Sequence, residues 1–161
     1  IKEFSLIPAL VGVDYLQALP FDAEMKGVPR AEQRRLQVRD DVFELLRMAR
    51  ELRVPVWVCV QAKQKLDNAP TPTFQLPGLF DCEETSSIAQ RFDKIITCWM
   101  PKMTHAVGTE VKYKDKSFNV AENMLFIKCA KQRGGHPSGR MWRCTIDFDK
   151  NIILPYSSTD G

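Results

Sequence analysis

This chain predicts an α/β fold with parallel strands in its first half and antiparallel strands in its second, and three observations carry that prediction. First, residues 4–13 are apolar nearly throughout and run into Asp14, as befits a strand covered on both faces. Second, residues 31–53 repeat Val38, Val42, Leu45, Leu46, Ala49 and Leu52 at three- and four-residue spacing, the stripe of an amphipathic helix, and the valine-rich run 54–60 follows, closed by Gln61. Strand, helix and strand in that order make the parallel β-α-β unit. Third, strand-like runs near 123–130, 140–148 and 152–156 are joined by short turns, which implies antiparallel pairing.

The segments between these elements follow from composition. Proline, glycine and charge mark 20–29 as a loop. On the long helix Arg34, Arg35, Arg39, Arg47 and Arg50 fall largely off the apolar stripe and read as a solvated face. Residues 62–80 carry Pro70, Pro72 and Pro77, with Lys63 and Lys65 near their start. That loop is longer than a plain connection needs, and long loops beyond the strand ends of such sheets usually serve function. Residues 85–92 predict a short capped helix and 93–100 a third strand. Residues 101–119, polar and lysine-containing, predict a mobile excursion. The turn 131–140 presents Lys131, Arg133 and Arg140 on a glycine-rich tip. No internal repeat, low-complexity tract or linker divides the chain, so residues 1–161 are expected to form a single domain.

With 161 residues of which 44% are hydrophobic, the chain can fill one ordinary core and is not a disordered chain. Its 23 lysines and arginines nearly balance 20 aspartates and glutamates, so anion binding has to come from local clusters rather than from net charge. The five cysteines Cys59, Cys82, Cys98, Cys129 and Cys144 form no C-x-x-C pair and read as reduced thiols of a cytoplasmic protein. The longest apolar runs fall well short of the roughly 18 residues that span a bilayer. The chain opens on Ile1, almost inside a strand, and is expected to be a processed product or a piece of a longer polypeptide.

In a parallel β-α-β unit ligands gather beyond the carboxyl ends of the strands, and Asp14 and Gln61 occupy those ends. A carboxylate there suits the task of orienting a magnesium ion beside a nucleotide, although an isolated acid at that place also fits a turn or a helix cap. An amide such as Gln61 can donate and accept without titrating; alone it also fits a polar strand end. Nothing in the chain reads G-x-x-x-x-G-K-[ST], the glycine loop that cradles phosphates.

The apolar strand ending in Asp14-Tyr15-Leu16-Gln17, the long helix, Val54-Pro55-Val56 leading to Gln61, Asp93 opening a strand, and Lys131-Gln132-Arg133-Gly134-Gly135 together resemble the carboxyl-terminal half of the RecA-like motor domain of replicative DNA helicases of the DnaB type. The resemblance covers essentially the whole chain. It implies a partial P-loop NTPase core in which parallel core strands continue into antiparallel carboxyl-terminal strands. It also implies that Asp14 is the Walker B carboxylate holding magnesium, that Gln61 senses the γ-phosphate of ATP, and that Lys131 and Arg133 reach into the neighbouring subunit's site in a ring, six-membered in the family. Arg30, Arg34, Arg35, Lys63 and Lys65 become the expected contacts to the phosphates of single-stranded DNA, and a primase or a loader an expected partner. Two departures accompany the resemblance. Glu83 stands where the family usually carries arginine, and a carboxylate repels the phosphate a guanidinium would clamp. The family's phosphate loop lies before the segment matched by this chain. A non-catalytic RecA-like module, serving assembly or DNA binding, is the alternative those departures favour.

Overall fold

The computed structural model describes residues 8–20, 27–62, 76–79, 81, 89–113, 116–135 and 141–156. The chain divides into two compact units, Ile1–Ala62 with Cys82–Gln90, and Lys63–Asp81 with Arg91–Gly161.

The first unit holds the β-α-β elements. Strand β1 (Val11–Val13) and strand β2 (Val56–Val58) pair in parallel, with Val11 opposite Val56, Gly12 opposite Trp57 and Val13 opposite Val58. Both are shorter than the apolar runs predict; residues 8–10 take no strand conformation and residues 1–7 lie outside the described part. Between the strands runs helix α1 (Arg30–Leu52), within a residue of its predicted bounds. Its first turn has no side-chain cap, but Gln33 donates a 2.6 Å bond from Nε2 to the Val28 carbonyl and so ties the entering loop to the helix. At the other end Arg53 turns into the left-handed region, φ 53°, and Val54 donates to the Ala49 carbonyl at 3.2 Å. This closure satisfies a terminal carbonyl just before Pro55, which disfavours helix in the residue preceding it. Val38 and Val42 are fully buried. Opposite them Arg47 pairs with Glu44 and Glu51, and nearer the helix start Arg35 pairs with Glu32, all exposed, as expected of a solvated face whose ion pairs solvent screens; Arg34 of the same set is half-buried.

The second unit holds a four-stranded antiparallel sheet whose strands neighbour one another in chain order. Strands β3 (Lys94–Trp99), β6 (Met124–Gln132), β7 (Met141–Asp147) and β8 (Ile152–Pro155) lie close to their predicted places. The 101–119 segment differs from expectation. It begins with a 3-10 turn (Pro101–Met103) and continues as a hairpin of β4 (Glu110–Tyr113) and β5 (Lys116–Asn119). The reason lies in three apolar residues set among the lysines: Val111, Phe118 and Val120 pack with Trp99, Met124 and Phe126 as one core. Phe126 stacks on Trp99 with centroids 5.9 Å apart and meets Phe118 at 5.1 Å. His105 is half-buried with its ring edge-on to Trp99. The β7–β8 turn is held by Asp147, which accepts from the Lys150 ammonium at 2.8 Å and from its backbone N–H at 3.1 Å. Those two bonds from Lys150 hold the Asp147 carboxyl below its ordinary range. Pro155 sits on β8, which among the described residues pairs with β7 alone, and such an edge tolerates a missing N–H.

Cys59, Cys98, Cys129 and Cys144 are free thiols; Cys82 lies outside the described residues. Burial pushes the Cys144 thiol up. Among the described residues no helix is long and apolar enough to cross a membrane.

Because Phe126 is the residue on which Trp99 and the hairpin both pack, Phe126→Ala is expected to cost about 3–5 kcal/mol, read as a lower urea midpoint together with lost protection of the 110–119 amides.

Candidate functional site

The parallel pair sets where chemistry can occur in the first unit. Its ladder continues past the strand ends: Cys59 donates to Val13 at 2.9 Å, and Leu16 donates back to Cys59 at 2.9 Å. Leu16 is fully buried and opens a 3-10 turn (Leu16–Ala18), so the chain after β1 is pinned rather than trailing. Asp14 stands at the first position beyond the paired Val13, exposed, and among the described residues its carboxylate has no hydrogen-bond partner. Its peptide bond to Tyr15 is cis.

Gln17 joins this turn to the other strand end. Its side-chain Nε2 donates to the Gln61 carbonyl at 3.3 Å, and its Oε1 accepts from the Gln61 N–H at 3.2 Å. A carboxamide thus pairs with one backbone unit as a further rung of the sheet would. Gln61 itself is exposed, and among the described residues its side chain makes no hydrogen bond. The structure therefore brings Asp14 and Gln61 to neighbouring strand ends and joins the two ends through Gln17.

Helix α1 braces the same turn. The Arg34 guanidinium donates to the Gln17 carbonyl and, at 3.4 Å, to the Leu19 carbonyl, while Gln37 donates to the Pro20 carbonyl. Of the cations expected to meet DNA, Arg34 is thus directed at the turn. Arg30 lies exposed at the helix start and Arg35 is exposed beside Glu32. Lys63, Lys65 and Glu83 lie outside the described residues.

In the second unit the basic tip grows from the end of β6. The β3–β6 register shifts between Ile95 and Ile96, so that Ile95 faces Lys131 and Ile96 faces Cys129, leaving Ala130 as a bulged residue. A bulge re-aims the side chains next to it, here those of Lys131 and Arg133. Lys131 is half-buried and Arg133 exposed. Arg133 is held by Asp93, the residue before β3: its N–H donates to the Asp93 carbonyl at 2.7 Å and its guanidinium to the Asp93 carboxylate at 3.1 Å. Gly134 follows with φ 67°, a conformation that favours glycine, and a Cβ on Gly135 would collide with the Gln132 side chain. Residues 136–140, including His136, lie outside the described part.

Gln17 and Asp93 belong to the stretches that carry the resemblance, but nothing in the sequence shows what they hold, and the Ala130 bulge has no sequence signal. Gln17 lies three residues after Asp14, but its partner is 44 positions away; Asp93 is 40 positions from Arg133.

Magnesium is usually held by one or two carboxylates, several waters and the substrate's phosphates rather than by a protein cage. A single exposed carboxylate at a strand end fits that pattern. Among the described residues no cluster of three or more His, Cys, Asp or Glu could hold a metal.

A parallel pair with polar groups at its carboxyl ends, joined in sequence to an antiparallel sheet, fits the RecA-like class of α/β fold. Solved structures agree at the level of fold. This chain is similar to one described as an ATPase domain, with 23% identity and a TM-score of 0.57 over 92% of this chain. It is also similar to one described as a DnaB-like replicative helicase and its interactions with primase, with 22% identity and a TM-score of 0.61, again over 92% of this chain. The chain spans 44% of the first and 30% of the second. No match was found among curated proteins. The family model described as "DnaB-like helicase C terminal domain" matches residues 5–153, and the chain belongs to that family.

Arg34 supplies donors to two carbonyls of the turn, and hydrogen bonds to a charged group contribute about 1.5–3 kcal/mol. Arg34→Ala is expected to lower the urea midpoint correspondingly, whereas Arg30→Ala leaves it in place.

Proposed function

We propose that this chain is the carboxyl-terminal half of the ATP-driven motor of a replicative DNA helicase, which translocates on single-stranded DNA and unwinds duplex. The observation that carries the reading is the placing of Asp14 and Gln61 at adjacent parallel strand ends held together by Gln17. In this reading residues 1–161 act together as one part of a RecA-like domain. The phosphate loop is supplied by sequence outside this chain.

Asp14 orients the magnesium through its water shell, and the ion, when bound, offsets charge on the β- and γ-phosphates. Gln61 extends its carboxamide toward the γ-phosphate or the attacking water; as a group that both donates and accepts, it reports the nucleotide state without a proton change. Lys131 and Arg133 act across a subunit boundary in a ring, six-membered by family resemblance, where two cations offset charge developing on the transferred phosphoryl group. The Asp93 grip and the bulge at Ala130 fix the chain at Lys131 and Arg133. Arg30, Arg35, Lys63 and Lys65 are assigned to single-stranded DNA phosphates, with Arg34 contributing through the turn it braces. Primase is a candidate partner, since one similar structure is described with it. The compartment is cytoplasmic.

A second reading, a RecA-like module without catalysis, is favoured by Glu83 and by the lack of a phosphate loop within the chain.

Without the loop's amides and lysine little holds a triphosphate. The purified chain alone is therefore expected to show no magnesium-dependent ATP hydrolysis, and the full-length polypeptide that contains it to show hydrolysis that Asp14→Ala reduces on the order of 100-fold or more. Asp14-dependent hydrolysis by the chain alone would overturn the division of the site. Full-length protein without hydrolysis would favour the second reading.

A further inference from the structure

We infer that Gln17 is a positioning residue for Gln61, and that Arg34 anchors it, so that the nucleotide-sensing strand end is set by helix α1. This rests on the assignment of Asp14 and Gln61 proposed above and adds to it the residue that links them.

The geometry is specific. The parallel ladder of β1 and β2 ends at Val13 and Val58, and the next two bonds run from Cys59 to Val13 and from Leu16 to Cys59. Beyond Cys59 no backbone rung to β1 remains among the described residues; the next fixed point of this segment is Ala62, which lies in a β-bridge, and Gln61 stands between the two. Gln17 replaces the missing neighbour by engaging both the N–H and the carbonyl of Gln61. A primary amide is the side chain that can do this, because it carries a donor and an acceptor side by side. Asparagine is a methylene shorter, and glutamate lacks the donor. With its backbone held at both polar groups, Gln61 can present its own carboxamide from a fixed origin, which is what an interaction needed only at the reacting phosphate requires. Gln17 is fixed in turn, because its carbonyl accepts from Arg34 of α1. Arg34 lies one turn along the helix from the exposed Arg30, at the end assigned to DNA. A displacement of that end thus reaches Gln61 through two side chains, without a change in the sheet.

The test is steady-state ATP hydrolysis by the full-length protein with and without single-stranded DNA, for Gln17→Ala, Gln17→Glu, Gln61→Ala, and Gln17→Ala combined with Gln61→Ala. Gln17→Ala is expected to lower kcat about tenfold or more while KM for ATP stays within about twofold, since the interaction lost is one realised during reaction rather than in binding. Gln17→Glu, which retains the acceptor, falls between. The double variant is expected to be no worse than Gln61→Ala, because residues acting through one another are non-additive. Hydrogen exchange supplies a readout independent of activity. The Gln61 amide should exchange at least about tenfold faster in Gln17→Ala while the Cys59 amide, bonded to Val13, keeps its protection.

Unchanged Gln61 exchange, unchanged kcat, or losses that multiply in the double variant would each overturn the inference. If Gln61→Ala and Asp14→Ala leave hydrolysis intact, the nucleotide-site reading itself falls. If they abolish it while Gln17→Ala does not, the bridge alone falls.

Discussion

The brevity of the parallel pair is the constraint from which the site follows. Three rungs between β1 and β2 are too few to hold two strand ends in register by themselves, since each backbone hydrogen bond contributes only about 1 kcal/mol net. The molecule lengthens the pair without lengthening the strands. Leu16, fully buried, brings the chain back onto Cys59, and the Gln17 carboxamide then serves as backbone for Gln61. A continued strand would have placed Asp14 within the ladder. The turn leaves it exposed at the sheet's end, where a metal and its waters can be reached.

The second unit solves a similar problem by different means. A basic tip needs reach, yet long cations on a loose turn lose rotamer freedom when they bind. Here the strand carries them. The Ala130 bulge redirects the end of β6, Asp93 holds Arg133 at both backbone and side chain, and Gly134 takes the left-handed conformation that turns the chain. Beneath the sheet, the hairpin 110–119 fills the core with Val111 and Phe118.

How much of this is legible in the sequence depends on whether the determinant is local. Helix α1 and strands β3, β6, β7 and β8 fall near their predicted bounds because periodicity and turn residues lie within each segment. The hairpin escapes a sequence reading because its lysines dominate the composition, while Val111, Phe118 and Val120 matter through partners elsewhere. Strand β1 is shorter than its apolar run, since such a run alone does not show where pairing stops. At the site, Asp14, Gln61, Lys131 and Arg133 stand out by type and order. The pairing of Gln17 with Gln61, of Arg34 with the turn, and of Asp93 with Arg133 spans 15 to 44 positions, and no single-sequence pattern encodes such a contact.

The proposed active site is divided, with Asp14 and Gln61 on one subunit and Lys131 and Arg133 offered by the next. Mixing two inactive full-length variants tests this most directly, one carrying Asp14→Ala and the other Arg133→Ala, after their rings have exchanged subunits. If the site lies across a head-to-tail boundary, equal mixing pairs an intact Asp14 with an intact Arg133 at about a quarter of the boundaries and restores about that share of ATP hydrolysis. Hydrolysis that stays at the level of the separate variants at every mixing ratio, with exchange verified, would contradict it.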